Sequence, residues 1–106
     1  MLNISDLQNL CNDKNIAVTS HVRKRFVERG ITINDIKNAI GTGIIIEQYE
    51  NDKPFPSCLL LGLTEQNKYI HTVTSIGEGY LYFITAYYPD TDYWEEDLKT
   101  RKVPEA

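Results

Sequence analysis

The sequence predicts an α+β domain, with two or three N-terminal helices packed on a four-stranded antiparallel sheet. Three observations predict it. Before Gly43 the apolar residues recur at the 3.6-residue spacing of helices, and after it they alternate or cluster as β-branched runs. The later segments are joined by short connections, Glu65-Gln66-Asn67-Lys68 and Gly77-Glu78-Gly79, which suit antiparallel neighbours. Helices come first and strands follow, a segregation that leaves one sheet face for the helices and the other open to a ligand.

The first helix is expected from about Ser5 to Asp13. Ser5 and Gln8 have capping-box spacing, and Leu7, Leu10 and Cys11 share one face. A second helix opens at Thr19 or Ser20 and closes at Gly30, which suits a left-handed C-terminal position. The third begins at Thr32, capped with Asp35, and carries Ile33, Ile36, Ala39 and Ile40 as its apolar stripe until Gly41 and Gly43 end it. Ile44 to Tyr49 reads as the first strand, and the Pro-containing stretch 51–56 as a loop. Cys58 to Thr64, Tyr69 to Ile76 and Tyr80 to Tyr88 read as the remaining strands, with Pro89 as the stop and a short helix expected around Tyr93 and Trp94.

The 106 residues fit a single domain over positions 1–106, and a hydrophobic content of 42% excludes a disordered chain. No apolar run approaches the roughly 18–20 residues that span a bilayer, and the N-terminus has neither the basic nor the apolar region of a secretory signal. Cys11 and Cys58 are isolated, as expected of reduced thiols. A small cytoplasmic protein without membrane contact is the expectation. The formal charge is −4, yet five of the six charged residues between Lys14 and Arg29 are basic. Lys99, Arg101 and Lys102 form a second basic group, while the acids gather around 47–52 and 90–97. A surface polarised in this way can bind a polyanion locally.

The chemistry concentrates in Ser20-His21-Val22-Arg23-Lys24-Arg25-Phe26-Val27-Glu28-Arg29. His21, Arg25 and Arg29 are four apart and stack on one helix face beside the apolar pair Val22 and Phe26. A titratable imidazole and two permanent cations at the rim of a core suit an anionic substrate with a proton to move, and phosphodiester RNA is the obvious one. Arg23 and Lys24 extend the basic surface, as do Lys99 and Lys102. The alternative is an ordinary solvated face, with Glu28 pairing Lys24 or Arg25. His71 lies mid-strand and shares a face with Tyr69, Val73 and Ser75. A three-residue Gly77-Glu78-Gly79 loop would set it opposite Thr85. It reads equally as a packed strand histidine or as a catalytic one. The seven tyrosines concentrate around the last strand, where Tyr87 and Tyr88 could donate a proton or stack on bases, or simply pack across strands. No metal-ligand spacing, phosphate-binding glycine loop or dinucleotide fingerprint is present, so a metal- and cofactor-free reaction is expected.

Ser20-His21-x-x-Lys24-Arg25-x-x-Glu28-Arg29-Gly30-Ile31 with Asp35-Ile36 resembles the family called domain of unknown function 4258. So do Lys53-Pro54-Phe55-Pro56-Ser57, Leu59-Leu60-Leu61-Gly62, His71, Ile84-Thr85-x-Tyr87-x-Pro89-Asp90, Trp94 and Lys99-Thr100-Arg101. That family looks related to the RelE-like and BrnT-like ribonuclease toxins of type II toxin–antitoxin pairs. The resemblance implies a RelE-like sheet with helices on one face, and a cognate antitoxin as partner, often MqsA-like with a zinc-binding segment. By position it carries over His21, Arg25, Arg29, His71 and Arg101. The expectation is therefore a metal-independent endoribonuclease acting on mRNA or other single-stranded RNA. A base, His21 or His71, would take the 2′-hydroxyl proton. The other histidine, Tyr87 or Tyr88 would protonate the leaving oxygen, and Arg25, Arg29 and Arg101 would stabilise the phosphorane. The rival expectation is a non-catalytic module that docks RNA or protein on the basic stripe.

Overall fold

The computed structural model describes residues 1–103. Its elements are α1 (Ile4–Leu10), β1 (Ile16–Ala17), α2 (Ser20–Glu28), α3 (Ile33–Thr42), β2 (Ile44–Tyr49), β3 (Ser57–Leu63), β4 (Tyr69–Gly77) and β5 (Tyr80–Tyr87). The α+β class and the three helices match the expectation. The sheet differs: it has five strands in the order β1-β5-β4-β3-β2, and β1 runs parallel to β5. Two residues are too few to show any periodicity, so β1 left no trace in the sequence pattern. It is held by Asn15, whose carbonyl accepts from the Leu81 N–H at 2.8 Å and whose side-chain amide donates to the Gly79 carbonyl at 3.0 Å. Among the described residues no helix is long and apolar enough to cross a membrane.

The helix caps are local chemistry. Thr19 caps α2 through its hydroxyl, which accepts from the Val22 N–H at 3.2 Å. Gly30 adopts φ +68°, so Ile31 N–H reaches the Phe26 carbonyl and Gly30 N–H the Val27 carbonyl, the bond pair of a Schellman motif. Thr32 and Asp35 form the expected capping box on α3. At α1 the cap is Asn3, not Ser5: Asn3 Oδ1 accepts from the Asp6 N–H at 2.9 Å, so the cap lies two residues earlier than expected, and the helix ends at Leu10, short of Asp13. The stretch around Tyr93 and Trp94 forms a single turn closed on the Asp90 carbonyl, not a helix: the next N–H, of Glu95, bonds forward to the Thr100 carbonyl.

The helices cover one sheet face. Leu7, Phe26, Ile36, Ala39 and Ile40 pack against Cys58, Leu60, Ile70, Leu81, Phe83 and Ala86. Each large apolar side chain buried here contributes roughly 1.5–3 kcal/mol. A Cβ on Gly62 would collide with the Ala39 backbone, so α3 lies directly on β3.

Two irregularities decide what the other face presents. The β4–β5 turn has two residues, Glu78 and Gly79, both at positive φ as a mirror-image turn requires, so Gly77 faces Tyr80. The three-residue loop expected from the sequence is thus corrected. A bulge at Ile84 then shifts the register, and His71 faces Tyr87, not Thr85. In β2 a second bulge at Ile46 sets Glu47 opposite Leu59. Without these bulges, strand alternation would turn Glu47 and Tyr87 to the helix side. With them, both join His71 on the face away from the helices.

Candidate functional site

The site grows from this second face. His71 is fully buried, although it lies on the side without helices. What buries it is the segment after β5, which folds back so that Trp94 and Arg101 form a bridge. The indole of Trp94 meets the imidazole edge-on with centroids 4.5 Å apart, and the Tyr87 ring meets it at 5.3 Å.

The hydrogen bonds fix the tautomer. His71 Nε2 lies 2.7 Å from the Leu98 carbonyl, which can only accept, so Nε2 carries the proton. In the neutral ring Nδ1 is then the acceptor, and it takes the Tyr87 hydroxyl proton across 3.2 Å. Burial pushes the His71 pKa below its ordinary value, against the opposing pull of the Leu98 carbonyl and Glu47. The ring is therefore neutral at neutral pH. Burial also pushes the Tyr87 phenol up.

Beside the histidine lies an ion-pair clasp. Arg101 Nε donates to Glu47 Oε2 at 2.9 Å and its Nη2 to Oε1 at 3.0 Å, the planar two-bond fit of guanidinium and carboxylate. The guanidinium stands 4.7 Å from the Trp94 ring centroid. Tyr49 donates its hydroxyl to Glu47, and Arg101 reaches the Tyr49 oxygen at 3.5 Å. Arg101 holds the Glu47 carboxyl below the usual range, and burial together with Glu47 pushes the Tyr49 phenol up to about 12.

The helix stripe is a separate environment. Arg29 reaches the edge of β5 beyond the short β1 pairing and donates to Thr85 Oγ1 at 3.2 Å and the Ala86 carbonyl at 2.8 Å. That ties it to the two residues preceding Tyr87. The side chains of His21 and Arg25 are exposed and make no hydrogen bond or ion pair among the described residues. The pairs expected between Glu28 and Lys24 or Arg25 do not form there either. Arg23 and Lys24 are exposed, and Arg23 borders a shallow apolar groove with Phe26, Val27 and Gly30. Tyr88, Lys99 and Lys102 are exposed. The structure thus brings together His71, Tyr87 and Arg101, joins Arg29 to the same strand, and leaves His21 and Arg25 on the helix surface.

Residues 18–88 match the family described as Domain of unknown function (DUF4258). The chain belongs to this family. No curated protein and no solved structure matches it. The span matched to DUF4258 runs from the start of α2 past the end of β5 and includes His21, Glu47, His71 and Tyr87. The covering residues Trp94, Leu98 and Arg101 lie beyond it.

Sequence reasoning missed Glu47, Tyr49 and the Leu98 carbonyl. Glu47 and Tyr49 reach the site only through the bulge at Ile46, and the run Ile44-Ile45-Ile46 holds no glycine to mark one. The Leu98 contact is a backbone atom brought from 27 residues away. Chemically, the arrangement holds a neutral imidazole, a phenol hydrogen-bonded to it, and a cationic fork engaged by an acid. Among the described residues no three His, Cys, Asp or Glu side chains converge as a metal site would require.

Proposed function

We propose that this DUF4258 protein is a toxin-like, metal-independent endoribonuclease that cleaves single-stranded RNA through its own 2′-hydroxyl. The convergence of His71, Tyr87 and Arg101 on one sheet face supports the reading most strongly. A neutral imidazole is a competent base near neutral pH. A guanidinium fork binds a phosphodiester as it binds a carboxylate.

In the proposed reaction Leu98 has withdrawn and the ring has changed tautomer, Nδ1–H donating to the Tyr87 oxygen and Nε2 left with its lone pair. Nε2 takes the 2′-hydroxyl proton as the oxygen attacks phosphorus. Arg101, with Arg29 at the edge of β5, stabilises the charge on the phosphorane, while Arg25 and His21 on the helix surface meet flanking RNA. The P–O5′ bond breaks, and the 5′ oxygen takes its proton from Tyr87 or Tyr88. The products are a 2′,3′-cyclic phosphate and a free 5′-hydroxyl. Arg23, Lys24, Lys99 and Lys102 would carry flanking phosphates. The resemblance to RelE-like and BrnT-like toxins extends the reading to a cytoplasmic protein kept silent by a cognate, MqsA-like antitoxin.

One observation favours a second reading. Both ring nitrogens of His71 are satisfied and the ring has no exposed surface. In that reading the histidine is structural, and the protein is a binding module that docks RNA or protein on the α2 stripe. Incubating the purified protein with single-stranded RNA and a metal chelator separates the two. Ends bearing 2′,3′-cyclic phosphate, lost in His71→Ala, are expected. Binding without cleavage would establish the module instead, and cleavage abolished by the chelator would overturn the metal-free chemistry.

A further inference from the structure

The segment from 90 to 103 is self-contained. Tyr93 and Trp94 donate to the Asp90 carbonyl, Glu95 to Thr100, Leu98 to Glu95 and Lys102 to Tyr93. The Asp97 carboxylate accepts from the N–H groups of Lys99 and Thr100 and from the Thr100 hydroxyl. Among the described residues, three contacts tie this folded strap to the polar cluster on the sheet: the Leu98 carbonyl on His71, the Trp94 ring on the same imidazole, and Arg101 on Glu47 and Tyr49. Leu98, which closes the histidine, holds φ +59°. That is left-handed backbone, disfavoured for a leucine and maintained only by its surroundings.

The clasp is the attachment a ligand can reach. The Arg101 side chain is 59% exposed and that of Glu47 23%. The two-bond geometry that holds the Glu47 carboxylate is the geometry a phosphodiester would use. An ion pair this exposed is weak enough for a second anion to displace it.

We propose that Glu47 is an internal stand-in for the substrate phosphate, and that an RNA phosphodiester which takes Arg101 from it releases the strap from His71. The proposal rests on the ribonuclease reading for its ligand. It adds that the closed form is an autoinhibited state opened by the substrate's own anion. Release carries the Leu98 carbonyl off Nε2 and exposes the imidazole at the moment the phosphate arrives. It also moves Trp94 into solvent.

Trp94 is the single tryptophan of the chain and is buried, so its fluorescence reports the strap directly. The test uses the full chain and a single-stranded 2′-O-methyl RNA oligonucleotide, which binds but cannot be cleaved. Titration should red-shift Trp94 emission and increase its quenching by acrylamide. Glu47→Gln removes the competing charge and should lower the titration midpoint by about fivefold, what an ion pair of this exposure controls. Arg101→Lys, which keeps charge but loses the fork, should raise the midpoint and blunt the maximal shift. Circular dichroism checks that both variants stay folded. Trp94 that stays shielded at saturating oligonucleotide, or a midpoint that Glu47→Gln leaves unchanged, overturns the proposal even where the wild-type protein cuts RNA. Strap release in a protein that never cuts RNA supports the proposal and removes the ribonuclease reading alone.

Discussion

The stripe on α2 and the cluster beneath the strap are built in opposite ways. His21, Arg25 and Arg29 come from one element, and nothing but helix geometry aligns them. His71, Tyr87, Glu47, Trp94 and Arg101 come from β4, β5, β2 and the strap, and nearly every polar atom among them is already engaged. The first region is free to meet a ligand at once. The second can meet one only by exchanging a contact it already has. Substitutions at His21 and Arg25 should therefore change binding without changing stability, whereas substitutions beneath the strap should change both.

The largest effect is expected at His71. His71→Ala opens a cavity and leaves the Leu98 carbonyl and Tyr87 hydroxyl without their partner. Stability should fall by about 2–4 kcal/mol, read from urea unfolding followed at Trp94. RNA cleavage should fall by roughly 100-fold or more. A variant that loses stability but keeps full cleavage would make the buried cluster structural and move the chemistry to the stripe. Tyr87→Phe is milder. It orphans only Nδ1, and about 1–3 kcal/mol should be lost. Nitrogen chemical shifts of the imidazole should show the Nε2–H tautomer in the wild-type protein. A predominant Nδ1–H form would overturn the assigned direction of both hydrogen bonds.

Acid should open the strap in two stages. The His71 pKa is depressed by burial, so the unfolded or opened chain binds its proton more readily than the closed one. The stabilisation is complete above the unfolded value near 6.5 and is lost as pH falls from there through the lower folded value. The Glu47 carboxyl is also depressed, chiefly by Arg101, so its contribution is lost at lower pH, below the usual 4.5. Trp94 emission should shift in both windows. Glu47→Gln should abolish the lower one and keep the upper. A single transition shared by both proteins would show that the clasp and the histidine do not act separately.

Much of this fold was legible because its signals are local. The capping box at Thr32 and Asp35, the left-handed Gly30 and the change of period at Gly43 each act within a few residues. Strand alternation also set His71 correctly on one face with Tyr69, Val73 and Ser75. Its partner was misread because two errors accumulated, one residue from the turn and one from the bulge at Ile84. Bulges leave no mark in a run such as Phe83-Ile84-Thr85, where each residue suits either register. The cluster's membership depends on both bulges and on a returning strap, so it follows from tertiary packing. The α2 stripe depends on nothing beyond one helix, and spacing alone was enough to find it.

The smallest effects separate the regions most sharply. His21→Ala and Arg25→Ala remove exposed groups with no partner among the described residues, so each should change stability by no more than about 0.5 kcal/mol. Their effect should appear in RNA affinity and its salt dependence. A cation contacting one phosphate of a single strand releases about 0.7 counterion, so Arg25→Ala should reduce the slope of log K against log salt by about 0.7, and equally for every RNA sequence. His21→Ala should weaken RNA affinity less than Arg25→Ala does, because an imidazole lacks the permanent charge and the planar fork of a guanidinium. Arg29→Ala should behave differently from both. It releases the Thr85 hydroxyl and the Ala86 carbonyl from their donor, so it should cost stability and reduce the slope together. If Arg29→Ala instead matched Arg25→Ala in leaving stability intact, the Arg29 hydrogen bonds that tie the helix stripe to β5 would carry no energy, and the two regions would have to be treated as independent sites.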